Sequence, residues 1–115
     1  MRSGVLYNPD CHDDFLVYRA GSGNTCEIFE IQVMSERRVG IARKLVDRLI
    51  EQHLPENVKT VYAITRASNL IAVQFYTKLR FRPVLLPNFY KDELLENGKE
   101  YCDAIMFIKD VGSEA

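Results

Sequence analysis

Two short stretches of this chain carry residue types that can hold a charged ligand and move a proton. The first is Arg37-Arg38-Val39-Gly40-Ile41-Ala42-Arg43. Its arginines supply positive charge, its glycine lets backbone approach a ligand closely, and Ala42 keeps the next contact small. A helical apolar pattern starts at Ile41, so Gly40 sits where a helix begins. The first amide hydrogens of a helix are unpaired and carry partial positive charge, which makes them a natural seat for a phosphate. The second stretch is Asn69-Leu-Ile-Ala72-Val-Gln-Phe75-Tyr76-Thr-Lys78-Leu79-Arg-Phe81. It reads as a short amphipathic helix running into a strand, with Tyr76 offering a phenolic proton. A third chemical feature is the carboxylate pair Glu27 and Glu30 inside an otherwise apolar run. Partial burial lifts a glutamate's pKa toward the working pH of a general base. Strand side chains alternate, so the two are expected on opposite faces, one lining a cleft and the other solvated.

These residues need elements to position them. Val5 to Tyr7 reads as a weak strand, and Asn8-Pro9-Asp10 as a turn. Phe15 to Arg19 and Cys26 to Val33 read as strands joined by the tight connection Gly21 to Asn24, hence a hairpin. Ile41 to His53 is helical: Ile41, Leu45 and Leu49 form one apolar row and Ala42, Val46 and Ile50 the next, with Pro55 closing the segment. Val58 to Thr65 alternates as a strand. Leu70 to Leu79 is a second helix, with Leu70, Val73 and Tyr76 on one row beside Ala72, Phe75 and Leu79. Phe81 to Leu86 is extended, Asn88 to Gly98 a loop with one helical turn at Asp92 to Glu96, and Ala104 to Ile108 the last strand. A strand–helix–strand unit between hairpins predicts an α/β fold with a mixed, mostly antiparallel sheet.

In this order and spacing the two stretches resemble the cofactor motifs of the GNAT superfamily, the acyl-CoA-dependent N-acetyltransferases. Arg37, Gly40 and Ala42 stand at the marked positions of the family's [Q/R]-x-x-G-x-[G/A]. Asn69, Ala72, Phe75, Tyr76, Lys78, Leu79 and Phe81 fit its second motif, N-x-x-A-x-x-[F/L]-Y-x-K-x-G-F, with Arg80 replacing the usual glycine. The resemblance is strongest over residues 25–108 of what reads as a single domain, 1–115. It implies acetyl-CoA as cofactor, with the pyrophosphate of coenzyme A on the backbone amides of Arg38 to Arg43, beside Arg37, and with Ile31, Gln32 and Val33 along the cofactor. Amides near Gln32 and Val33 would hold the oxyanion. Asn69 would bond the pantetheine arm, Ala72 and Lys78 would flank the cofactor, and Tyr76 would protonate the leaving thiolate. Glu27 and Glu30 each stand where some members keep their general base.

The implied activity is acetyl transfer by direct attack of a primary amine, on a small molecule or on a protein N-terminus or lysine. Asn88-Phe89-Tyr90-Lys91-Asp92, then Gly98 and Asp103-Ala104, look similar to the loop and last strand of enzymes that acetylate protein N-termini. The rival reading is a non-catalytic acyl-CoA-binding sensor or interaction module of the same fold, since the strand and two helices with which members commonly begin do not precede the first hairpin. Their absence also predicts uncovered apolar surface and a homodimer.

The bulk properties agree with one soluble domain. The chain has 115 residues, 47% hydrophobic and 27% charged, with a net charge of -1. So balanced a charge offers no general case for nucleic acid, no apolar run is long enough for a membrane span, and the N-terminus lacks a signal-peptide core, which predicts a cytoplasmic protein. Neither G-x-x-x-x-G-K-[ST] nor G-x-G-x-x-G occurs. Cys11, Cys26 and Cys102 are widely spaced, so no zinc site or redox dithiol is expected, and Cys11-His12-Asp13-Asp14 reads as a solvated turn rather than a metal site.

Overall fold

The structure, a computed structural model, describes residues 2–21, 23–34, 40–90 and 103–112. They fall into two compact units, Met1–Val61 with Asp110–Ala115, and Tyr62–Lys109.

The first unit is an antiparallel run of β1 (Arg2–Asn8), β2 (Cys11–Ala20) and β3 (Thr25–Gln32), followed by α1 (Ile41–Arg48), whose last turn continues as a π-helical segment, Leu49–His53. The β1–β2 hairpin closes on Pro9-Asp10, where Asn8 Oδ1 accepts the Asp10 amide at 3.1 Å. Leu6 lies opposite Leu16, and this face continues through Ala20, Cys26 and Ile28, all buried. The helix packs on β1 and β2 and buries Leu45, Val46 and Leu49, as the apolar rows predict. The opposite face stays open, with Val5, Tyr7 and Phe29 43%, 47% and 56% exposed.

Two expectations for this unit are corrected. Asp14 is not in a solvated turn: β2 begins at Cys11 because two residues suffice to close the hairpin, and the Asp14 side chain is fully buried. Glu27 and Glu30 do not point to opposite sides. Tyr18 pairs with Ile28 but Val17 pairs with Glu30, so Phe29 is an extra residue, a β-bulge. Glu27 lies opposite Arg19 and Glu30 opposite Val17; these partners are two apart on β2, so both glutamates share the open face.

The second unit takes up β4 (Thr60–Arg66) from its third residue and adds α2 (Leu70–Lys78), β5 (Arg82–Leu86) and β6 (Ala104–Asp110). Strand order here is β4-β6-β5, with β5 and β6 antiparallel. Its core is Ala63, Tyr76, Leu79, Phe81, Ala104 and Phe107. Leu70, on a core row by its periodicity, is instead 66% exposed, and Ile71 70%. Both stand in the first turn of α2, while the buried positions Tyr76 and Leu79 are at its far end. Residues 91–102, including the expected turn at 92–96 and Cys102, lie outside the described residues.

The exit of α2 explains how the chain does without the usual glycine. Arg80 adopts φ 67°, the left-handed conformation. The Phe81 amide then reaches the Tyr76 carbonyl at 3.1 Å and the Arg80 amide the Thr77 carbonyl at 3.0 Å. This is the paired bonding of a Schellman stop, completed by contact of the Tyr76 and Phe81 rings at 5.2 Å. Lys109 Nζ on β6 also donates to the Leu79 carbonyl at 2.8 Å. The Arg80 side chain is exposed. An L-residue in this conformation costs about 1–2 kcal/mol, and glycine's extra unfolded-state entropy offsets about 0.4–1 kcal/mol. Arg80→Gly should therefore raise the urea midpoint by a net stabilisation of about 0.5–1 kcal/mol with an unchanged m-value. An equal or lower midpoint would show that residue 80 is not strained.

Candidate active site

In the first unit the relevant segment runs from the end of β3 to the start of α1. Ile31 and Gln32 end the strand, paired with Leu16 and Phe15, and Val33 follows, half-buried. Gln32 spends its side chain on structure, donating from Nε2 to the Asp13 carbonyl at 3.0 Å. Arg37, Arg38 and Val39 lie outside the described residues. Gly40 follows them with φ 74°, and its carbonyl accepts the Lys44 amide at 3.0 Å, the first bond of α1. A Cβ placed on Gly40 meets nothing within 4 Å, so its own backbone conformation, not crowding, asks for glycine.

Gly40, the N-cap of α1, brings no capping side chain, and no acid stands in the first turn of the helix. The amides of Ile41, Ala42 and Arg43 keep the positive end of the helix, and Arg43 and Lys44 are exposed beside them. Arg43 makes a loose 4.0 Å pair with Asp47 one turn on. The start of α1 is a fit for a diphosphate: donors, positive charge and a conformationally special glycine together.

In the second unit α2 begins differently. Asn69 is its N-cap, and Asn69 Oδ1 accepts the Ala72 amide at 3.1 Å. The Asn-x-x-Ala spacing is thus a helix cap, a role that the motif alone does not reveal although asparagine before an apolar helix signals it. The cap uses the amide oxygen and leaves Nδ2 as a donor for a ligand. Ala72 is half-buried and Lys78 exposed in the last turn.

Tyr76 is the most enclosed of the chemical residues, 7% exposed. Its ring stacks on Phe107 at 5.4 Å and meets Phe75 and Phe81 edge-on at 5.0 and 5.2 Å. Burial pushes its phenol well above the ordinary tyrosine value, so the proton stays on the oxygen at any working pH. No described residue forms a hydrogen bond with that hydroxyl, so the aromatic packing fixes the ring and leaves the oxygen available.

The glutamates are distinguished by their neighbours. Glu27 is held by Arg19 at 2.9 Å, and the Arg19 guanidinium lies over the Phe29 ring at 4.2 Å. Glu30 is exposed and is the less encumbered of the two. Next to Glu27, burial pushes the Cys26 thiol up to about 11, helped by the Glu27 charge; such a thiol is structural, not nucleophilic. No group of His, Cys, Asp and Glu among the described residues forms a metal site.

The start of the expected acceptor loop is ordered by Asp103, whose carboxylate accepts the Asn88 amide at 2.8 Å. Phe89 and Tyr90 meet edge-on at 4.9 Å, and Arg66 lies over the Tyr90 ring at 4.0 Å. Lys91, Asp92 and Gly98 lie outside the described residues.

Known proteins share the sequence pattern and the fold of this chain. The sequence profile of the acetyltransferase (GNAT) family matches residues 5–81. A GNAT family acetyltransferase from Elizabethkingia anophelis, solved with acetyl-CoA bound, is 25% identical, with TM-score 0.73 over 90% of this chain and 71% of its own. Ard1 from Thermoplasma volcanium is also 25% identical, with TM-score 0.66 over 85% of this chain and 62% of its own. The ribosomal-protein-S18-alanine N-acetyltransferase from Escherichia coli shares the fold at 24% identity, with TM-score 0.75 over 99% of this chain and 72% of its own. No curated protein sequence matches the chain. The expected α/β fold with its mixed sheet is the one these structures share.

Proposed function

The chain belongs to the acetyltransferase (GNAT) family, with acetyl-CoA as its cosubstrate, and on that premise we propose that it acetylates a primary amine, using the two segments above to hold the cofactor and acting as one domain over residues 1–115. The observation that carries the proposal is the start of α1 on a left-handed Gly40, which has no side chain to cap the helix, set against the start of α2, which Asn69 caps. At α1 no cap side chain competes for the opening amides, whereas at α2 Asn69 takes the Ala72 amide. Acetyl-CoA supplies an acyl group activated by its bond to sulfur. The amides of Gly40 to Arg43, with Arg37 and Arg38 before them, hold the diphosphate, and Ile31 to Val33 line the cofactor. Asn69 keeps Nδ2 for the pantetheine arm, which Ala72 and Lys78 flank. Glu30, directly or through water, takes the proton of the incoming ammonium, and Glu27 beside it holds Arg19 on the same face. An ammonium with a pKa near ~10.4 needs such an acceptor.

Tyr76 keeps a proton at its hydroxyl for the departing sulfur. Its raised pKa makes transfer to a free thiolate uphill, so the proton moves as the carbon–sulfur bond breaks. The acceptor is a small-molecule or peptide amine; a peptide is favoured by Phe89 and Tyr90 standing at the start of the loop after β5. Both described cysteines, Cys11 and Cys26, are free, which suits the reducing cytoplasm. No helix among the described residues is long and apolar enough to cross a membrane.

Titration with coenzyme A tests the cofactor site. Gly40→Asp should abolish binding, because it adds a negative charge where a phosphate sits. Gly40→Asn, similar in size and tolerant of the left-handed conformation, should retain much of it. A Gly40→Asp protein that binds like the parent places the cofactor elsewhere.

Tyr76→Phe removes one oxygen and keeps the stacked ring, so the fold should survive. Thiol release at saturating acetyl-CoA with an amine panel should fall about 10²-fold, the scale of losing a general acid, with cofactor affinity changed far less. Equal turnover would refute the acid role, and a parent that binds coenzyme A without releasing thiol would be a sensor.

The open face of β1 to β3, carrying Val5, Tyr7 and Phe29, further supports a homodimer. Sedimentation should give twice the monomer mass at micromolar concentration; a monomer across that range removes this part of the proposal.

A further inference from the structure

The mechanism above makes no use of Asp14, yet it is the buried charged side chain of the described core. A carboxylate withdrawn from water is strongly disfavoured unless hydrogen bonds replace its hydration. Two of its bonds are well placed. Asn8 Nδ2 donates to Asp14 Oδ2 at 2.9 Å, and the Met34 amide donates to Asp14 Oδ1 at 2.7 Å, a charge-assisted bond. Asn8 is itself fixed, since its Oδ1 accepts the Asp10 amide in the β1–β2 turn.

The position of Met34 gives these bonds their meaning. The β2–β3 ladder ends at the pair Phe15 and Gln32. Beyond it the chain leaves β3 toward Gly40 and the amides of α1. Two bonds from the start of β2 continue to hold it: Gln32 Nε2 to the Asp13 carbonyl, and the Met34 amide to Asp14. The Met34 side chain is 69% exposed, so packing does little to hold this residue, and its backbone bond to Asp14 has to. Asp14 therefore fixes the backbone at Met34, the last described residue before Gly40.

We propose that Asp14, oriented by Asn8, is a positioning residue for the cofactor site: by fixing the backbone at Met34 it sets where the chain leaves β3 ahead of the Gly40 to Arg43 amides, and so governs affinity for acetyl-CoA without touching it. The proposal rests on the cofactor reading given above.

Substitution separates this role from general stability. In Asp14→Asn, Oδ1 still accepts the Met34 amide, but the new Nδ2 then faces Asn8 Nδ2, donor to donor. Flipping Asn8 repairs that contact and breaks its bond to the Asp10 amide. In the double exchange Asn8→Asp/Asp14→Asn, the three bonds described above re-form. The amide now at position 14 accepts from Met34 and donates to the carboxylate now at position 8, which in turn accepts from the Asp10 amide. The order of effect should thus be Asp14→Ala, then Asp14→Asn, then the exchange.

The experiment measures KM for acetyl-CoA, kcat at saturation, and coenzyme A binding by titration. Asp14→Ala should raise KM and the coenzyme A dissociation constant about tenfold or more, the scale of one lost charge-assisted bond, with kcat within about twofold. Asp14→Asn should show a smaller rise, and the exchange should return to within about threefold of the parent. If Asp14→Ala does not fold, the comparison of Asp14→Asn with the exchange decides. An unchanged KM in every folded variant overturns the proposal, as does a fall in kcat without a rise in KM, or an exchange that recovers nothing. A parent that does not bind coenzyme A overturns the cofactor reading itself; a parent that binds it, with variants that bind equally, overturns only the role of Asp14.

Discussion

Every helix start has to place three or four amide hydrogens, and this protein settles the matter in two ways. At α2 a side chain from the chain itself, Asn69, takes one of them. At α1 the residue before the helix is a glycine with nothing to offer, and the first turn holds no acid. Donors left open at a surface are ordinarily met by water, and a bound anion does the same work with more charge. The difference between the two helices organises the demands on the rest of the chain. The strand before α1 must deliver the backbone to a fixed point, and the aromatic packing under α2 must hold Tyr76 while its oxygen stays unengaged.

The bulge at Phe29 is the counterpart in β3. Without it, Glu27 and Glu30 would lie on opposite faces, one directed at α1 and the buried layer. The extra residue turns the following part of the strand over, so the inward positions run Cys26, Ile28 and then Ile31, while both carboxylates face the open side. The strand thus gains a change of phase from one residue, a use for which bulges recur beside active sites.

Much of this is legible in the sequence, and the failures have physical causes. The α1 rows ending in Leu45, Val46 and Leu49 read as core because a 3.6-residue period survives any neighbour. Gly40 stands out because a glycine before an apolar helix has few other uses. Face assignment in β3 fails because alternation assumes an unbroken ladder, and a bulge leaves no residue-type signature when the extra residue is phenylalanine. Asp14 reads as solvated because a run of polar residues looks wet, whereas its burial depends on Asn8 and on Met34, twenty residues away. Arg80 in place of glycine threatens the helix exit on paper, yet the exit is unaltered: the Schellman bonds form around an arginine held in glycine's conformation.

The links from β6 to α2 bear on how the chain acquires this half of its chemistry during synthesis. The ring against which Tyr76 stacks belongs to Phe107, and the ammonium that completes the end of α2 belongs to Lys109, thirty residues beyond the carbonyl it meets. The segment matched by the family profile stops at residue 81. A nascent chain that has only reached that point holds both sequence motifs but not the surface that orients the tyrosine. Since chains emerge N-terminus first, the meander of β1 to β3 has its partners early, whereas Tyr76 reaches its final setting only when β6 has left the ribosome. A chain cut before β6 would thus keep every residue of the two motifs and leave the tyrosine without the ring it stacks on.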